Sequence, residues 1–245
     1  MALQRNSIPR THLVLGLLFL ALMLLAPAGP ASAAQSIRRE PVPDPAAPAA
    51  PASLRAFVTS WYVHGMPWAQ ARAYGTEAVP ELIQMLNDSA MEPHWAKVVY
   101  VLGCIGDGSA KQPLIEFMQQ QKGEVSADAF RGVLGVPCAM GQIAQHDNQS
   151  LDLLMNLATR TDQGQSLGLT LSYGRYHGDA LGEVLGRMAL QGLGASGRPE
   201  ALTVLQNLLA DRTLRTDWLD NVSEAITLNQ QVQSVGPQRL WGEVR

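Results

Sequence analysis

Two stretches of the chain repeat one cue at a fixed distance, and that recurrence limits the possible folds more than any other feature. Tyr74–Asp88 reads Y-G-T-E-A-V-P-E-L-I-Q-M-L-N-D, and Ile105–Met118 reads I-G-D-G-S-A-K-Q-P-L-I-E-F-M. Each is a helix end, a Gly, a polar turn, and an Ala that leads into a Leu-rich helix. Placing Ala78 on Ala110 brings Leu82 over Leu114, Ile83 over Ile115, Met85 over Phe117 and Leu86 over Met118, a period of 32 residues. Such a period predicts stacked helix pairs, because one pair cannot cover its own apolar face and needs a neighbour to do so.

The cue returns later in the chain. Glu200–Asp211 (E-A-L-T-V-L-Q-N-L-L-A-D) lies on Glu77–Asp88 with Ala201 on Ala78, Leu202 on Val79, Leu205 on Leu82, Leu208 on Met85 and Leu209 on Leu86. Between these copies a drifted pair is readable. Ser126 caps a helix over residues 127–144, with Phe130, Leu134, Cys138, Met140 and Ile143 apolar, and a second helix over 150–159 carries Leu153, Leu154 and Leu157. Pro137 falls inside the first of these and predicts a kink or break near Gly135.

The remaining segments fit the same plan. Leu54, Phe57, Val58 and Trp61 have helical spacing, and Pro67 opens a second short helix through Ala73. Pro93–Ile105 and residues 180–193 supply further outer helices, and Asp107 or Ser109 is placed to cap the helix after Gly108. A tail helix over 217–228 and a short turn at 238–244 are expected to cover the last pair's apolar edge. The fold class expected is therefore all-α, with no strand between Glu77 and Asp211.

The cue G-x-x-x-A-x-x-x-L-I-x-x-L after an L-G-x-I-G-D helix end resembles the HEAT repeat, closest to the short HEAT-like repeats of phycobilisome lyases. The resemblance covers residues 54–211. It implies an α-solenoid of about four antiparallel helix pairs with a C-terminal helical cap, outer helices convex and inner helices concave. For function it implies protein binding, and much less often catalysis. The stretch Thr161–Gly178 is an insertion that the other pairs lack.

The first 33 residues read as an export signal: Arg5 and Arg10, an apolar run Leu13–Leu25, then Pro27, Gly29 and Pro30 before Ala31-Ser32-Ala33. The apolar run is shorter than the roughly 20 residues that a membrane-spanning helix needs. No membrane span is therefore expected after cleavage, and the mature protein is expected to be periplasmic or extracellular. Residues 34–53, with Pro41, Pro43, Pro45, Pro48 and Pro51, read as an extended linker, and residues 54–245 as the repeat domain. Removing 1–33 takes away two Arg and no acid, leaving 16 basic against 21 acidic side chains and a formal charge of −5. That balance gives no electrostatic reason to expect a nucleic acid as partner. The repeat alignment sets Cys138 on the position of Tyr100, four residues before that of Cys104. The two thiols then share a helix face, and two free, buried cysteines are expected.

Gly164-Gln165-Ser166-Leu167-Gly168 matches the G-x-S-x-G elbow of α/β-hydrolases. That mechanism needs a strand before the Ser, and an acid followed by a His after it. Here a helix precedes it, His177 is the one later His, and no acid lies between Ser166 and His177. A lyase-like or hydrolytic site within Thr161–Asp179 stays as an alternative without a recognisable mechanism. Tyr173, Arg175, Tyr176 and His177 in the same insertion admit two readings. They form a recognition patch, or the tyrosines pack the loop down while Asp179 caps the next helix, and the second is favoured. His146 with Asp147 and His177 with Asp179 lack a third ligand, so no metal and no cofactor is expected.

What remains is the polar face of the inner helices. Glu81 and Gln84, then Gln112, Glu116 and Gln119, then Asp152 and Asn156, then Thr203 and Asn207, all fall opposite the apolar stripes. Stacked helices would turn them into a ladder of acidic and amide groups for a peptide or protein partner. The sequence thus points to an exported, non-catalytic scaffold, with a purely structural envelope component as a further alternative.

Overall fold

The computed structural model describes residues 53–63, 65–159, 167–211 and 216–241. The segment read as an export signal, nearly all of the stretch read as a proline-rich linker, and Gly164, Gln165 and Ser166 of the G-x-S-x-G match lie outside the described residues. Ser53, read as the end of the linker, is instead the N-cap of the first helix, where its hydroxyl oxygen accepts from the Ala56 N–H at 3.2 Å.

The described chain is all-α apart from two three-residue strands. Its elements are α1 (Leu54–Thr59), α2 (Trp68–Ala73), α3 (Val79–Leu86), α4 (Trp95–Ile105), α5 (Lys111–Gln120), β1 (Lys122–Glu124), α6 (Ala127–Ile143) and α7 (Asn148–Thr159). After these come β2 (Thr170–Ser172), α8 (Gly178–Ser196), α9 (Pro199–Ala210), α10 (Thr216–Val235) and α11 (Pro237–Trp241). Short 3-10 turns lead into α3, α4 and α5. The strands correct the expectation of no β-structure between Glu77 and Asp211. They lie in the connections rather than in the Leu-rich segments and pair in parallel, Lys122 with Thr170 and Glu124 with Ser172.

Caps and glycines end the helices where the chain signals it. Gly106 and Gly197 are left-handed, at φ 73° and 60°, and terminate α4 and α8 in the conformation that costs glycine least. Asp107 accepts from the Ser109 N–H at 2.9 Å, and Ser126 accepts from the Ala129 N–H at 3.0 Å.

Four long helices lie side by side: α4 on α6, α6 on α8, α8 on α10. Their contacts climb in step. Gly132 faces Trp95, Gly135 faces Val99 and Gly103 faces Ala139, so α4 and α6 run parallel. Cys138 faces Met188, Gly141 faces Gly192 and Gln145 reaches the Ala195 carbonyl, so α6 and α8 do too. Trp218 against Gly186, Ala225 against Gly194 and Val232 against Gly197 continue the series in α10. The helices between them, α3, α5, α7 and α9, bury their aliphatic stripes: Leu82, Leu114, Leu154 and Leu205 are all fully buried.

Several expectations are corrected. Helix α1 stops at Thr59, since Ser60 turns extended, and Trp61 is 78% exposed rather than on the apolar stripe. Helix α6 runs unbroken through Pro137; packing against α4 on one side and α8 on the other holds the turn whose hydrogen bond the proline removes. Leu209 is 42% exposed, and Leu202 and Leu208 are half-buried. Helix α9 is the last of the set α3, α5, α7 and α9, and among the described residues no further helix of that set follows to cover its other side. Both cysteines are free; Cys104 is buried and Cys138 half-buried, and burial pushes both thiols up, to about 12 and about 11. The tail helix α10 extends to Val235, and α11 turns back onto α2, with the Trp241 and Trp68 ring centroids 6.1 Å apart.

Candidate functional site

All nine polar residues expected on the inner helices are exposed: Glu81 and Gln84 on α3, Gln112, Glu116 and Gln119 on α5, Asp152 and Asn156 on α7, Thr203 and Asn207 on α9. Helical spacing puts them there. With Leu or Val buried three and four residues apart, the remaining positions must face water. Gln112 Nε2 donates to Glu116 Oε1 at 3.0 Å along one helix face. Thr203 Oγ1 donates back to the Pro199 carbonyl at 3.1 Å. Gln119 is committed elsewhere, its amide donating to the Leu167 carbonyl at 3.0 Å.

The N-terminal ends of α5, α7 and α9 are tied together by side chains that sequence reasoning passed over. Lys111 at the start of α5 bonds Gln149 and lies 3.9 Å from Asp147. Arg198, just before α9, donates to Asn148 Oδ1 at 3.0 Å and to the Ala144 carbonyl at 3.4 Å. Asp147 also accepts from the Ser150 N–H at 2.7 Å. Burial alone would raise the Asp147 carboxyl, but the Ser150 N–H and the Lys111 charge outweigh it and hold it below the ordinary aspartate value. These bonds tie the starts of α5, α7 and α9 to one another. They also occupy Lys111 and Arg198, and α3, α7 and α9 contain no basic residue of their own. Glu81 and Asp152 therefore face solvent without a cation from their own helices, and Glu116 shares α5 only with Lys111, which is engaged by Gln149 and Asp147.

The described part of the insertion, residues 167–178, is folded down rather than presented. Strand β2 pairs with β1, and Tyr173 and Tyr176 exchange backbone hydrogen bonds of 3.1 and 3.0 Å across a tight turn at Gly174-Arg175. Both tyrosine rings stack near Phe130 of α6, with centroids at 4.8 and 5.3 Å and interplanar angles of 24° and 25°. Glu124 secures the turn by accepting from the Gly174 N–H and the Ser172 hydroxyl, each at 2.9 Å. Those two donors hold its carboxyl below the ordinary glutamate range. Arg175 lies over the Tyr176 ring at 5.2 Å and is exposed, as is His177. Asp179 does not cap as expected. Helix α8 starts at Gly178, so Asp179 sits in its first turn, where a carboxylate suits the helix dipole.

Sequence reasoning missed Glu124 and Phe130, the two residues that organise this turn. An aromatic at position 130 with two tyrosines in a distant loop was the available signal; an exposed Glu gives none. Among the described residues, no three His, Cys, Asp or Glu side chains gather as metal ligands, and no helix is long and apolar enough to cross a membrane. Comparison with known proteins finds no family model, no curated protein and no solved structure that matches this chain.

Proposed function

We propose that this chain is an exported, non-catalytic adaptor. In this reading the helices form an α-solenoid of about four HEAT-like antiparallel pairs capped by α10 and α11, and a protein partner docks across the polar faces of α3, α5, α7 and α9. The observation that carries the reading is that all nine polar positions are exposed, while the N-terminal ends of α5, α7 and α9 are cross-linked by Lys111, Asp147, Asn148 and Arg198. A surface held in register before binding loses less conformational freedom when a partner arrives. Exposed acidic and amide groups supply acceptors for a partner's N–H and basic groups. The export segment and the proline-rich stretch after it fit a domain held on a tether outside the cytoplasm.

The test compares partner capture by the purified protein and by a variant carrying E81R, E116R and D152R. The reading expects the variant to keep its helicity and lose its partners. Equal capture by both proteins removes the inner face from the account.

A further inference from the structure

The C-terminal end of the chain creates a second feature, independent of the inner face. A cavity of about 400 Å³ lies where α11 turns back toward α2. Its walls are Arg72 of α2, Gln145 and His146 just past α6, and residues 235–239, which include Arg239. Two arginines and a histidine therefore line one space, and among the described residues no Asp or Glu lines it. In a chain with 21 acidic against 18 basic side chains, this is a local reversal of sign.

The guanidiniums are carried by opposite ends of the chain. Arg72 is fixed over the Trp68 ring at 5.2 Å. Arg239 is brought in by α11, a five-residue helix with no buried residue, which follows Gly236 at φ 79° and meets α2 through Trp241 and Trp68. Neither Arg72 nor Arg239 forms an ion pair among the described residues. Closing α11 onto α2 thus brings like charges to one cavity, which by itself opposes closure. The carbonyl ends of α2 and α10 soften this, but they offer partial charges against full ones. An oxyanion between the walls reverses the sign, because a guanidinium presents a planar fork of donors that matches phosphate or carboxylate oxygens. The volume falls within the range of small-molecule sites.

We infer that this cavity binds a small oxyanion-bearing molecule, a phosphate or carboxylate compound, clamped between Arg72 and Arg239 with His146 as a further donor. Binding fastens α11 to α2 and so joins the second and last helices described in the domain.

Calorimetric titration of the purified protein with inorganic phosphate and with citrate, against sodium chloride at matched ionic strength, tests the inference. Saturable binding of either anion, absent with chloride, is the expected result, with roughly tenfold or greater weakening in R239Q. Response to phosphate alone assigns a phosphate ligand, to citrate alone a carboxylate ligand, and to both an oxyanion site without that preference. Arg239 is exposed, so R239Q is expected to fold, and circular dichroism checks this; R72Q provides the second arm. No binding beyond the chloride control, or wild-type affinity in both R239Q and R72Q, overturns the inference.

Discussion

Gly192 of α8 lies directly against the carbonyl of Pro137 in α6: a β-carbon built on Gly192 would fall 2.4 Å from that oxygen. A β-carbon built on its neighbour Gly141 would be equally close, 2.3 Å from the Gly192 carbonyl oxygen. The parallel row of long helices depends on these approaches, because backbone meets backbone and neither side can yield. G192A is therefore expected to destabilise the protein by roughly 1–3 kcal/mol, even though Ala favours helix over Gly by about 1 kcal/mol. Gly135 is the control, since its added carbon would meet only the Val99 side chain, at 3.4 Å from Cγ1 and 3.9 Å from Cβ, ordinary contacts. Urea unfolding of both variants should show G135A neutral or stabilised by up to about 1 kcal/mol and G192A clearly weakened.

Asp147 predicts an acid limb. Its folded pKa is depressed below the unfolded aspartate value, so its stabilisation is complete above that value and is lost as pH falls through the folded pKa. D147A is expected to cost about 1 kcal/mol at neutral pH, and D147N less, because an amide oxygen still caps. A stability curve measured below about pH 4 should be steeper for the native protein than for D147N.

Glu124 titrates in the same direction for a different reason. Hydrogen bonds from Gly174 and Ser172 depress it, so the turn at 173–176 is held above the unfolded glutamate pKa and loosens as pH falls through the folded one. Hydrogen exchange should show faster exchange of the Gly174 amide in E124Q than in the native protein, with the exchange of α6 unchanged. Equal exchange at Gly174 would falsify the assignment.

The aromatic platform carries its own prediction. F130L keeps an apolar side chain of similar size in α6 but removes the ring that Tyr173 and Tyr176 stack on. A loss of roughly 0.5–1.5 kcal/mol for each ring contact is expected. Limited proteolysis should then cut faster between residues 167 and 177 than in the native chain.

Much of the architecture was legible because a single spacing rule covers it. Leu82, Leu114, Leu154 and Leu205 recur at the same place in the cue, and all four are fully buried. The caps at Asp107 and Ser126 were legible for a similar reason: the side chain and the N–H that donates to it lie within three residues. The β1–β2 pair was not, because each strand is three residues long and its partner lies 48 residues away, with no periodic signal at that length. Nor was the exposure of Leu209, whose sequence context matches that of buried Leu86. Its fate depends on whether another inner helix follows, and a repeat cue records the unit rather than its neighbours. The return of Trp241 to Trp68 and the ties made by Lys111 and Arg198 were likewise invisible, since each joins residues with no shared pattern.

The adaptor reading rests on the outward face of the inner helices. The direct measurement is the affinity of a captured partner for three proteins: the native chain, the E81R/E116R/D152R variant, and a control in which Glu224, exposed on α10, is replaced by Arg. The account predicts a loss of at least about tenfold for the triple variant and no change for E224R. Native affinity in the triple variant, or an equal loss in E224R, would contradict it.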